Sequence, residues 1–160
     1  MKMLFHYNWQ VRQEWYQWCE GIPEEELLKK RTGGVGSILE TLFHIADAEW
    51  SWIRVLQGEE DFKGSFEDYR SLSKVRELDA SFRPVVEQFV ADWDASKEHQ
   101  TLHSTGKDGT EYTDGWGEVM RHVIAHEIHH IGQLSVWSRE LGKEPVSADL
   151  LGRGLDDKIN

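Results

Sequence analysis

A single cysteine, Cys19, is all the thiol in this 160-residue chain. An intramolecular disulfide is therefore excluded, and a cytoplasmic home is the default expectation. On an apolar helical segment a lone cysteine reads as a small buried hydrophobe rather than as a nucleophile or redox centre. No apolar run approaches the roughly 20 residues of a membrane span. The stretch from Met1 to Trp9 lacks a long apolar segment followed by a small-residue cleavage site, so no signal peptide is expected. Basic residues are scarce: 18 Lys and Arg face 29 Asp and Glu, for a net charge of -11. That leaves no basic footprint for a nucleic acid. Internal repeats, low-complexity runs and interdomain linkers are absent too, and the length predicts one domain over residues 1–160.

What is present in excess is tryptophan and histidine, eight of each. The tryptophans read as packing residues. The histidines are unevenly spread, with His122, His126, His129 and His130 inside nine positions.

Four long segments carry helical periodicity. The first runs from about Lys2 to Glu20, with Leu4, Tyr7, Val11, Trp15 and Trp18 in one stripe and Gly21-Ile22-Pro23 as its stop. The second runs from about Ser37 to Gln57, behind a Gly33-Gly34-Val35-Gly36 loop. Ser37 and Glu40 have capping-box spacing. Two adjacent apolar stripes make this helix central, and Gly58 ends it. Residues from Glu59 to Ser73 read as a long crossover loop. The third helix is expected from about Lys74 to Ser96, with Val75, Leu78, Phe82, Val85, Phe89 and Trp93 in step and a kink or restart at Pro84. Between His99 and Thr113 the pattern fails, and β-branched residues flank Gly106-Lys107-Asp108-Gly109, as in a small hairpin or extended lid. The fourth helix is expected from about Trp116 to Leu141, N-capped by Thr113 or Asp114 and stopped at Gly142. Ser147 and Asp149 suggest a short last helix. The fold class that follows is all-α: a four-helix bundle with a long crossover and a hairpin-like lid before the last helix. An irregular five-helix fold is the alternative.

The fourth helix holds His122-Val123-Ile124-Ala125-His126-Glu127-Ile128-His129-His130. Residues four apart share a helix face. At 100° per residue, His126 and His130 fall among Val119, Val123, Leu134, Trp137 and Leu141. His122 falls at the stripe's edge and His129 further round. Two neutral imidazoles on an apolar face are costly unless each nitrogen is satisfied, and one metal ion satisfies both. A third ligand must come from elsewhere. His44 is the candidate, inside the most apolar helix on a face of small residues, Thr41, Ala48 and Ser51, with Val55 beyond. Three histidines leave coordination positions open, as in catalytic sites. His6 is a weaker fourth candidate, and His99 and His103, near the lid, are expected to be solvated. The string from His126 to His130 also satisfies H-E-x-x-H, the zincin pattern. No histidine follows His130, so a zincin's downstream ligand would have to be Glu140 or Glu144. Glu127 is a candidate acid–base residue beside a metal, or else a solvated surface carboxylate.

The segment from Ser37 to Trp52 resembles the second helix of the DinB/YfiT-like proteins. His122 to Leu134, with Arg139-Glu140-Leu141-Gly142, is similar to that family's last helix. The resemblance spans nearly the whole chain. It implies a four-helix bundle, commonly dimeric, with three histidines on zinc, nickel or a similar ion, here His44, His126 and His130. Ile131 departs from the pattern, since many relatives carry arginine there. Relatives with known activity include thiol S-transferases that use bacillithiol-type thiols and a mycothiol-dependent isomerase. The resemblance thus implies a metal-dependent transferase, with a low-molecular-weight thiol among its substrates and a homodimer as its assembly. The alternatives are a non-catalytic metal-binding stress-response module and an H-E-x-x-H metalloprotease.

Overall fold

A computed structural model describes residues 1–105 and 108–155. Gly106 and Lys107 of the expected lid turn, and the last five residues of the expected domain, lie outside the described residues. Four long helices dominate: α1 (Lys2–Glu20), α3 (Ile38–Gln57), α4 (Leu72–Ala91) and α6 (Trp116–Glu140). Helices α3 and α1 each pack against both α4 and α6. Two short helices, α2 (Glu24–Leu28) and α5 (Ala95–Glu98), a 3-10 turn (Phe66–Tyr69) and a two-stranded antiparallel sheet, β1 (Thr101–Thr105) with β2 (Glu111–Gly115), complete the described structure. Among the described residues no helix is long and apolar enough to cross a membrane.

Local chemistry accounts for most boundaries. Ser37 Oγ accepts from the Glu40 N–H at 3.1 Å, one half of the expected capping box; the Glu40 carboxylate lies against Gly36 instead. Gly58 closes α3 in the left-handed conformation (φ 70°), with its N–H reaching Val55 O and the Glu59 N–H reaching Arg54 O. Helix α2 escapes a periodicity search because five residues make no stripe. Pro23 precedes it and Glu24, Glu25 and Glu26 fill its first turn, a favourable charge placement at a helix N-terminus.

Several expectations need correction. The third helix does not reach Ser96. It ends at Ala91, because Asp94 turns its carboxylate onto the Ser96 N–H at 2.7 Å and caps α5. Helix α4 is continuous through Pro84, whose ring is exposed. Beyond it, Val86 and Val90 enter the core, in place of Val85 and Phe89. Helix α6 starts one residue after Gly115, whose N–H donates to Glu118 at 2.9 Å; Thr113 and Asp114 belong to β2. Among the described residues no helix follows Ser147. Ser147 and Asp149 form a local turn, and the segment lies across α1, held by Tyr7 Oη to Ala148 O (2.7 Å), Trp18 Nε1 to Glu144 O (2.9 Å) and Arg153 to Glu14.

The core has two apolar clusters. One gathers Val11, Trp15, Tyr16, Leu39, Leu42, Val75 and Leu134; the other gathers Phe5, Trp9, Ile53, Val86, Val90, Met120 and Ile124. A buried charged layer lies among these clusters, at Glu49 and Glu127 where α3 and α6 pass from one cluster to the other. Arg12, 0% exposed, donates from Nε and Nη2 to the two oxygens of Glu127 (2.9 and 2.6 Å) and from Nη1 to Glu49 (3.1 Å) and Asp79 (2.7 Å). Trp9 Nε1 donates to the other Glu49 oxygen at 2.9 Å, and Arg83 Nη2 reaches both Asp79 oxygens at 3.2 and 3.3 Å. Burial pushes the Asp79 carboxyl up, but Arg12 and Arg83 more than offset it and hold it below the usual aspartate range. Every one of the four long helices supplies at least one member of this layer.

Candidate metal centre

His44 sits in the first half of α3, and His126 and His130 sit one turn apart on α6. Their ligand atoms all lie within 4.8 Å of one another. His126 Nε2 is 3.0 Å from His44 Nε2 and 3.1 Å from His130 Nε2. Two imidazole nitrogens on a tetrahedral zinc, each at about 2.0–2.1 Å, would stand about 3.3 Å apart, so these spacings fit one ion with small adjustment. All three donors are neutral at ordinary pH. Burial lowers each pKa; neighbouring rings add to this at His44 and at His126, which falls to about 4, while at His130 the Gln133 hydrogen bond opposes the lowering in part. Three convergent ring nitrogens cannot all satisfy one another: a neutral imidazole offers one N–H and one lone pair. The donor set therefore suits a cation better than a closed hydrogen-bonded triad.

His130 is buried, whereas His44 and His126 are half-buried. The inward assignment of the pair holds more strictly for His130 than for His126. Gln133, one turn on from His130, accepts from His130 Nδ1 at 2.8 Å and donates to His129 Nε2 at 3.0 Å. The i, i+3 spacing of His130 and Gln133 is the sequence signal for this contact.

The other histidines lie around or away from the trio. His122 and His129 are exposed, and His122 meets Trp52 edge-on at 5.6 Å. His6 packs edge-on against Trp9 and lines a separate cavity of about 720 Å³ with Gln10, Arg83 and Arg153; none of the three clustered histidines lines it. His99 and His103 are exposed, as expected, and His103 Nδ1 is 3.0 Å from Thr113 Oγ1.

Glu127 is neither solvated nor turned towards the histidines. It is 1% exposed, and both oxygens are committed to Arg12. The expectation of a surface carboxylate is corrected by the charged layer, which the sequence reading missed. Its signal was present: Arg12, Glu49, Asp79 and Glu127 each stand at an inward position of their own helix. Ile131, where a relative's arginine would stand, is buried in the core.

The model of the DinB family matches residues 1–154. The uncharacterized protein YizA of Bacillus subtilis (strain 168) is 48% identical over 155 residues, covering 97% of this chain and 96% of that protein. The family model covers almost the full length, and this chain belongs to the DinB family.

Proposed function

We propose that this chain binds one divalent transition-metal ion, zinc or nickel, through His44, His126 and His130, and that it is a metal-dependent enzyme of the thiol S-transferase type. The observation that carries the binding half is the convergence of three neutral imidazoles at 3.0 and 3.1 Å. Imidazole donors suit zinc and nickel alike. Three protein ligands leave a coordination position for a substrate. When bound, such an ion would supply Lewis acidity that lowers the pKa of a thiol placed beside it.

The chain's own residues favour an external thiol. Cys19 is buried in α1, 1% exposed, and burial pushes its thiol up to about 12. It holds no thiolate at neutral pH, so a thiolate nucleophile has to come from a small molecule, as with bacillithiol-type thiols. A thiol-reactive dye should label Cys19 stoichiometrically in denaturant and hardly at all in the native protein; fast native labelling would reopen the case for Cys19.

The protease reading fares worse. Its general base would have to be Glu127, which is bonded to Arg12 through both oxygens. A base must reach the proton it removes.

Metal analysis of tag-free protein tests the binding half. Roughly one ion per chain is expected in the parent, with loss in each of His44→Ala, His126→Ala and His130→Ala. Stoichiometric metal in all three variants would overturn the site. Thiol-dependent conjugation that a chelator abolishes tests the catalytic half; tight metal uptake without turnover would replace the enzyme with a binding module.

A further inference from the structure

We infer that Gln133, which lies beside Gly34 of the Gly33–Gly36 loop, is a positioning residue that keeps His130 in the one tautomer able to coordinate a metal. The inference rests on the metal-binding reading above.

The argument begins with atom types. Gln133 presents Oε1 to His130 Nδ1 at 2.8 Å and Nε2 to His129 Nε2 at 3.0 Å. An amide oxygen only accepts, so Nδ1 of His130 carries the ring proton. The neutral ring then has its lone pair on Nε2, the atom 3.1 Å from His126 Nε2. If the amide turned over, its NH2 would donate to Nδ1 and the proton would move to Nε2. A protonated Nε2 cannot be a ligand. The orientation of one amide thus decides whether His130 can bind.

Two neighbours flank that amide. His129 Nε2 accepts from the amide NH2, which places the His129 proton on Nδ1; a turned amide would keep this contact only if His129 moved its proton as well. Gly34 lies against the oxygen side. A Cβ on Gly34 would fall 2.7 Å from Gln133 Oε1 and 2.9 Å from Trp137 Cη2, and its backbone has φ +59°. No side chain fits there without displacing the amide. The loop itself is anchored. Trp137 Nε1 donates to Thr32 O at 3.2 Å, Arg31 N–H donates to Gly36 O at 2.7 Å, and the Arg31 guanidinium bridges Glu26 and Glu140. The glycine-rich segment is therefore fitted onto α6 at Gln133 and is more than a spacer before α3.

The experiment pairs zinc affinity, measured by chelator competition, with ring-nitrogen NMR of the metal-free protein. Gln133→Met, close in size but without an acceptor, should weaken zinc binding about 10–100-fold, the usual effect of losing a ligand's orienting partner. Gln133→Glu, whose carboxylate still accepts from Nδ1–H, should stay within a few-fold of the parent. Gly34→Ala should resemble Gln133→Met. In the spectrum, His130 should carry its proton on Nδ1 in the parent and in Gln133→Glu, and shift towards Nε2 in Gln133→Met. Parent-like zinc affinity in Gln133→Met, or a parent His130 protonated on Nε2, would overturn the inference. If the parent takes up no zinc, the metal-binding reading fails, while the spectrum still decides the tautomer.

Discussion

Arg12→Met is expected to cost about 3–5 kcal/mol of folding stability, the range for breaking a buried ion pair from one side. The side chain it replaces is fully buried and makes four hydrogen bonds to three carboxylates. Methionine fills a comparable volume, so the loss comes from charge rather than from a cavity. Glu49, Asp79 and Glu127 would remain inside, with Arg83 bonded only to Asp79. Against a total stability of about 5–15 kcal/mol for a typical domain, that loss would show as a large drop in the urea midpoint. Arg12→Lys should be damaging as well, since an ammonium cannot reproduce the planar fork that holds both Glu127 oxygens. A midpoint within about 1 kcal/mol of the parent for Arg12→Met, the ceiling for an exposed pair, would mean that this layer is not the four-helix tie described above.

The second large effect concerns heat. Metal-loaded protein should melt well above stripped protein, because an ion that binds only the folded state stabilises it by about 4 kcal/mol at a thousandfold excess over Kd. For a chain of this length each kcal/mol moves Tm by roughly 2–4 °C, so a rise of about 8–16 °C is expected. His126→Ala should abolish the rise, since His126 Nε2 is the nitrogen that neighbours both others. Its stripped form should melt close to the stripped parent, because the lost ring is half-buried and has no apolar cavity to leave. Equal metal-induced shifts in parent and variant would remove His126 from the site.

The histidine cluster was readable from the chain because two of its members are four residues apart on one helix, and the third stands on a face of small residues, a choice that the family resemblance also made. The long helices were readable for a similar reason: stripes of tryptophan, leucine and valine repeat at helical steps. What escaped was non-periodic or paired over long range. Helix α2 is too short for a stripe. The break between α4 and α5 depends on one aspartate preferring a cap to a helix interior. The Ser147–Asp149 pair looks like a cap, yet its carboxylate is turned back onto Ser147 and no helix follows among the described residues. The charged layer joins residues 37, 67 and 115 positions apart. Each member alone looks like an ordinary polar residue on an apolar face, and only their meeting explains why each is buried.

That layer also acts as a longitudinal ruler. Apolar helices can slide past one another by a turn, about 5.4 Å, and still bury similar surfaces, because leucine and valine contacts are not directional. Arg12 permits no such sliding, since a one-turn shift of any partner helix strands a carboxylate. On α3 the ruler mark is Glu49, five positions after His44; on α6 it is Glu127, the residue after His126. The helices that carry the three imidazoles are thus indexed against each other by a guanidinium on a third helix. A drift of α3 along α6 by a single turn would open the 3.0 Å gap between His44 and His126 beyond the span of any one ion.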